Sequence, residues 1–289
     1  MPAFRRAAVY FLRVAGTAGL IGYVLSRVSP GDLVATLRRV PPGTLAAAVL
    51  LYLLGQGLSA VRWSILGRAV GLYRPLADYV RFYAIGMFFN LFGPSTLGGD
   101  AVRVMYLGRG RRRMLAAVVQ LVYHPRLPRA LYSSVTSVGL LLVVGWVAAP
   151  WLVRVLPREQ RIRRLMADEL APFWRDGTLL ALTAVLSLVF HLSQVAVQYL
   201  LGLAIGVTLP FWYCLVFHPL VVLATALPVS LGGFGVRESG YVLLLGRIGI
   251  PASQAVVLSL LWFAVTAVAG LLGGLVFVTN PRPAAAPRA

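Results

Sequence analysis

The sequence predicts an all-α, polytopic transmembrane helical bundle with two broken or re-entrant helix segments in a pseudo-repeat, and three observations carry that expectation. The chain is 59% hydrophobic and only 12% charged, with a mean hydropathy of +0.83, whereas an ordinary soluble domain carries about 25% charged residues. Apolar runs that reach the roughly 20 residues needed to cross a hydrocarbon core recur along the chain and leave no room for a separate soluble domain. Two Gly- and Pro-rich interruptions with the same order of residue types follow apolar runs. One integral membrane domain over residues 1–280 is expected, with a disordered Pro/Ala/Arg tail at 281–289.

In chain order, residues 7–25 are predicted as the first span. Arg5 and Arg6 precede it as in a signal peptide, but Arg13 interrupts the stretch and no Ala-x-Ala-like site follows. An uncleaved first helix with a cytoplasmic N-terminus is the better reading. Ser29–Val40 reads as a short interfacial helix: Pro30 suits its first turn, Asp32 its positive end, and Leu33, Leu37 and Val40 share a face. A second span, 43–61, is expected to end at an interfacial anchor formed by Arg62 and Trp63. Pro75–Phe92 is the next apolar helix, and it runs into a Gly/Pro break at 93–100, since Pro and Gly are the poorest helix formers.

The cluster Arg109-Gly110-Arg111-Arg112-Arg113 is predicted to be cytoplasmic. Residues 114–149 suit a helix broken near Pro125 and Pro128 plus a full span ending near Trp146 and Trp151. The Arg-rich segment 154–175 with Asp168, Glu169 and Asp176 reads as a surface loop. Spans at 178–206 and 209–227, a second break at Pro228–Gly235 and a last span at 252–278 complete about six to eight crossings.

The net charge of +19 would suggest nucleic-acid binding in a soluble protein. Here the basic residues, all Arg, sit mostly between apolar runs, so anionic lipid headgroups are the expected partner and nucleic acid is not. The single cysteine, Cys214, excludes an internal disulfide and any Cys-based zinc site. A chain without lysine has no P-loop, so ATP hydrolysis by that route is excluded. No metal or other cofactor is called for.

Aligned without a gap, Pro94-Ser95-Thr96-Leu97-Gly98-Gly99-Asp100-Ala101-Val102-Arg103 and Pro228-Val229-Ser230-Leu231-Gly232-Gly233-Phe234-Gly235-Val236-Arg237 agree at Pro, Leu, Gly, Gly, Val and Arg. Each copy has a carboxylate beside its arginine, Asp100 before Arg103 and Glu238 after Arg237. Unwound backbone at membrane depth is tolerable only where protein packs on it or a wet cavity meets it. Paired broken helices in corresponding halves of a transporter point to its binding site, and half-helix N-termini offer free N–H groups to an anion. Charges there should pair: Asp100 with Arg103 along one turn, or Asp100 with Arg237 and Glu238 with Arg103 if the breaks meet. The arginines would hold a phosphate by charge-assisted contacts while the carboxylates balance them or read a basic headgroup.

These two segments resemble the signatures of a known family, the transmembrane region of lysylphosphatidylglycerol synthases and its stand-alone flippase-like relatives. Gly86–Arg103 is similar to the family's Asn-x-x-x-Pro...Gly-Gly-Asp-x-x-Arg pattern, and Leu227–Glu238 to its Pro-x-Ser-x-Gly-Gly-x-Gly-x-Arg-Glu pattern. The resemblance spans nearly the whole chain. It implies a translocase that moves a phospholipid or lipid-linked headgroup between leaflets of the cell (inner or plasma) membrane, with Asn90, Asp100, Arg103, Arg237 and Glu238 matching. With the intervening motif residues, the candidate headgroup cavity comprises Asn90, Gly98, Gly99, Asp100, Arg103, Ser230, Gly232, Gly233, Arg237 and Glu238. With no acyltransferase-like domain after residue 278, the chain is not expected to synthesise an aminoacyl lipid. Where family members tend to carry an acid followed by Arg, this chain reads Tyr123-His124-Pro125-Arg126, which leaves a weakened activity or altered substrate open.

His191, Gln194 and Gln198 share one helix face; His191 and Gln194 are candidates to line the cavity, with interhelical hydrogen bonding as the structural alternative. His218 suits either a proton relay or a hydrogen-bonded core position. Two rival functions stay open: a membrane-embedded transferase on prenyl-linked or phospholipid substrates with Asp100 or Glu238 as general base, and a non-transporting partner of a lipid-synthesis enzyme.

Overall fold

The computed structural model describes residues 2–69, 71–92, 176–226, 230 and 232–279. These residues form eight helices and no strand: α1 (Pro2–Leu25), α2 (Pro30–Arg38), α3 (Pro42–Ala69), α4 (Leu76–Phe92), α5 (Gly177–Ala204), α6 (Phe211–Ala226), α7 (Val236–Gly246) and α8 (Ala252–Thr279). The expected break at 93–100, the basic cluster at 109–113, the elements read over 114–175 and the tail lie outside the described residues. Three of the helices, α3, α5 and α8, are long and apolar enough to cross a membrane, and α6 and the part of α1 from Val14 are shorter apolar helices.

Local chemistry explains most boundaries. Pro30 opens α2, Asp32 lies in its first turn, and the Thr36 hydroxyl donates back to the Asp32 carbonyl at 2.7 Å. The Asp176 carboxylate accepts the Leu179 N–H at 3.0 Å and so caps α5; the sequence placed Asp176 in a loop, and it is the last residue of one. α5 closes at Gly206, whose φ of +76° lets the Val207 N–H turn back to the Gly202 carbonyl. Pro219 sits inside α6, where its ring removes one helical donor.

The outer faces are greasy. Leu50 and Leu54 on α3, Leu182, Val185, Leu188 and Val189 on α5, and Leu271, Leu275 and Val278 on α8 are exposed in runs at helical spacing, the surface that acyl chains cover. Lipid is as apolar as leucine, so close packing rather than transfer from water holds such helices together. Glycine supplies that closeness. On α8, a Cβ at Gly273 would strike the Ala84 backbone of α4, one at Gly274 the Phe88 ring, and one at Gly270 would press on Leu91 and the Met87 carbonyl. α3 approaches α5 the same way, with Gly55 against Ser193 and Gln194. The apolar core lies among α5 to α8, where Leu201, Phe217, Leu245, Val257 and Val265 are fully buried around Cys214.

Two expectations are corrected. α3 runs on to Ala69 instead of stopping at Arg62, and both Arg62 and Trp63 are buried inside the bundle rather than anchored at an interface. Trp63 packs edge-on against Tyr79 and Tyr83 of α4, which takes it out of reach of the headgroup region. On α2, Leu33 faces the core together with Val40 just beyond its end, whereas Leu37 is exposed; nine helical residues turn too far for three apolar side chains to share one contact.

Candidate functional site

Between α6 and α7 the helical path stops, as the sequence predicts, and restarts after a turn. Gly232, Gly233 and Gly235 have φ values of +59°, +79° and +82°, a region that side chains with a Cβ avoid. Space forbids substitution as well: a Cβ on Gly233 would lie 2.9 Å from that of Thr225, and one on Gly235 would lie 2.7 Å from the Leu20 Cβ of α1. This turn is thus pressed between α6 and α1. Ser230 is buried at 3% exposure, and its hydroxyl has no hydrogen-bond partner.

The restart is organised by Glu238. One carboxylate oxygen, Oε2, accepts the Gly235 N–H at 2.7 Å and so caps α7 from within. The other, Oε1, accepts Nη2 of Arg237 at 2.6 Å, Nε of Arg237 at 3.0 Å and the Ser259 hydroxyl of α8 at 3.3 Å. The Arg237 guanidinium also lies 5.4 Å from the Phe234 ring centre and 4.8 Å from that of Phe263, and the two rings meet edge-on. A carboxylate, a hydroxyl and two ring faces therefore fix the cation. Its remaining nitrogen, Nη1, donates to none of the described residues, so one edge of the fork is left for a further acceptor.

One turn along α7 from Glu238, the Tyr241 hydroxyl meets the Gln198 amide of α5 at 2.6 Å, and that amide also contacts Nδ1 of His218 on α6 at 3.1 Å. The His218 ring stands edge-on to Trp262 of α8 at 4.6 Å. All three hydrogen-bonded residues are buried, and the second amide atom of Gln198 has no partner. His218 thus occupies the hydrogen-bonded core position, and Gln198 joins helices instead of facing a cavity. Gln194 is buried at the α3 crossing, its amide 3.4 Å from the Ser193 hydroxyl, while His191 is half-buried against the Phe190 ring.

Of the remaining candidates, Asn90 is half-buried in the last turn of α4, next to the point where the first break begins. Gly98, Gly99, Asp100 and Arg103 lie outside the described residues. The pairing of Glu238 is local: Gly235, Arg237 and Ser259 occupy both its oxygens. Sequence reasoning did not single out Ser259, Phe234 or Phe263. A lone hydroxyl and common aromatics within apolar runs carry no periodic or charge signal, and only the crossing of α7 with α8 selects them.

The profile of the lysylphosphatidylglycerol synthase TM region matches residues 10–122 and 113–274. The chain belongs to that family. No curated protein and no solved structure matches it. As a member of the lysylphosphatidylglycerol synthase TM region family, it is an integral membrane protein with a lipid-related setting. The matched segments include both Gly-Gly copies, 94–103 in the first and 228–237 in the second.

Proposed function

We propose that this family member is a lipid translocase, in which the broken helix at α6–α7 receives the phosphate of a phospholipid or lipid-linked headgroup and passes it between leaflets of the cell membrane. The observation that carries the reading is the state of Arg237: a guanidinium within a membrane domain, locked by Glu238, Ser259 and two rings, with Nη1 left to donate. Charges at such depth are costly and are kept where they act on a substrate or an ion path. A headgroup phosphate fits this edge as a bidentate-capable acceptor. The unpartnered Ser230 hydroxyl on the same turn supplies a second polar contact, and Asn90, Gly98, Gly99, Asp100 and Arg103 of the first copy complete the site in this reading. The N-terminus lies in the cytoplasm, on the side of the basic cluster at 109–113.

The transferase alternative requires a carboxylate oxygen able to take a proton from substrate. Both oxygens of Glu238 already accept bonds, which favours positioning of Arg237 over acid–base work. The test is reconstitution in liposomes containing fluorescent phosphatidylglycerol, with dithionite bleaching as the readout. The wild type should expose inner-leaflet probe faster than empty liposomes do, Arg237→Ala should fall to the empty-liposome rate, and Arg237→Lys should recover part of the loss. Equal rates with and without protein, or full activity in a folded Arg237→Ala, would sink the proposal.

A further inference from the structure

A second arginine lies deep in the bundle, and nothing in the Gly-Gly signatures includes it. Arg62 of α3 is 7% exposed. Its Nη1 donates to the Ser187 hydroxyl of α5 at 2.7 Å and its Nη2 to the Ser59 hydroxyl at 3.3 Å, while Ser59 Oγ lies 2.6 Å from the Tyr83 hydroxyl of α4. The Phe190 ring centre stands 5.9 Å from the guanidinium carbon. Three helices thus deliver three hydroxyls to one cation. Hydroxyls serve either role: those that now accept from the guanidinium can rotate and donate to an arriving phosphate oxygen, so an anion enters without stranding any polar atom.

The position of this cluster along the bundle gives it meaning. Ser187 marks the Arg62 level on α5 and Gln198 marks the Tyr241 level, one turn from Glu238; between them α5 rises about 16 Å at 1.5 Å per residue. On α8, Ser259 marks the Arg237 level, and Gly273, packed on Ala84 beside Tyr83, marks that of Arg62; this path rises about 21 Å. Two independent helices agree that the guanidiniums are separated by more than half of a hydrocarbon core about 30 Å thick. With α8 as the ruler, its centre falls between them, so they belong to opposite leaflets.

We infer that Arg62, with Ser59, Tyr83 and Ser187, is a second phosphate-binding station, which holds the phosphodiester of a lipid headgroup in the leaflet opposite Arg237. The inference rests on the translocase reading for its purpose, but the binding it predicts is measurable without transport. A headgroup moving between two such stations travels in two short steps, with a cation waiting at the end of each.

Native mass spectrometry of the full chain in detergent, titrated with dioctanoyl-phosphatidylglycerol, counts the adducts. Wild type should carry two lipids, Arg62→Gln and Arg237→Gln one each, and the double variant none. Arg62→Lys should keep its adduct with about 10-fold weaker affinity, because a point charge replaces a fork. Tyr83→Phe leaves both printed Arg62 bonds in place and should weaken the same adduct without lowering the unfolding midpoint, a pattern a purely structural arginine does not give. Dioctanoylglycerol, which lacks phosphate, should not bind at either station. An Arg62→Gln protein that is folded and still carries two lipids would overturn the inference, as would binding of inorganic phosphate alone with no lipid adduct. If both adducts form as expected but no lipid moves in liposomes, the translocase reading fails and the station stands. If movement depends on Arg237 while Arg62→Gln alters neither adducts nor rate, the station fails and the reading stands.

Discussion

Replacing Glu238 with Gln tests the organisation of the α7 restart at its most sensitive point. The side chain keeps its shape, but one of its two acceptor oxygens becomes an NH2 group. That donor must face either the Gly235 N–H, now 2.7 Å from the carboxylate, or the Arg237 guanidinium, now 2.6 Å and 3.0 Å away. Each arrangement sets donor against donor and removes the charge that balances Arg237. Hydrogen bonds to charged groups contribute about 1.5–3 kcal/mol, and breaking a buried ion pair from one side costs about 3–5 kcal/mol. The unfolded chain in a micelle finds substitute partners, which brings the expected loss to about 3 kcal/mol. Arg237→Met should cost less, about 2 kcal/mol, because Glu238 retains the Gly235 amide and Ser259. The double variant strands neither charge, so the cycle should show a coupling of at least about 1.5 kcal/mol. Reversible unfolding in mixed dodecylmaltoside and dodecyl sulfate micelles, followed by circular dichroism, measures all four corners. Single effects that add to within about 0.5 kcal/mol would refute the claim that these two residues form one unit.

Other outcomes follow from the same coordinates. Gly235→Ala should destabilise by more than about 2 kcal/mol, since strain at positive φ and overlap with Leu20 act together, whereas Gly246→Ala, with open space around it, should be neutral or slightly stabilising in the same assay. Gly273→Val should lower the unfolding midpoint by forcing α4 off α8, with a cost of about 3 kcal/mol, and Gly57→Ala, on an open face, should not. Tyr241→Phe leaves a further atom of Gln198 unpaired and should cost about 1–2 kcal/mol, while Gln198→Leu with Tyr241→Phe should recover most of that. In single-tryptophan variants, brominated acyl chains should quench Trp212, which is exposed, far more strongly than buried Trp63; equal quenching would contradict the placement of Trp63 inside the bundle.

Helix identity was legible where composition and period act alone. The apolar runs over 43–61, 178–206 and 252–278 could only be helices in lipid, and the Gly-Gly segment at 232–235 could not continue one. Length was less legible: α3 extends to Ala69 because Arg62 finds Ser59 and Ser187, and no local signal reports partners that are more than a hundred residues away. The same reason hid Ser259 and the aromatic pair around Arg237. Glu238 was read correctly as a charge that needs a partner, but its choice of Arg237 and the Gly235 amide depends on the turn geometry that three positive φ values create. α7 itself was not assigned, since at 11 residues it is too short to announce a span.

The cap on α7 has a kinetic consequence. Glu238 already occupies the positive end of that helix, so an anion arriving there exchanges with a resident carboxylate instead of filling an empty socket. A protein-borne competitor at very high effective concentration raises the apparent dissociation constant in proportion to how seldom it swings away. The guest is released quickly for the same reason, since the carboxylate recaptures its amide as the guest leaves. Carriers gain nothing from tight grip, and a tethered rival is a way to keep the cargo moving.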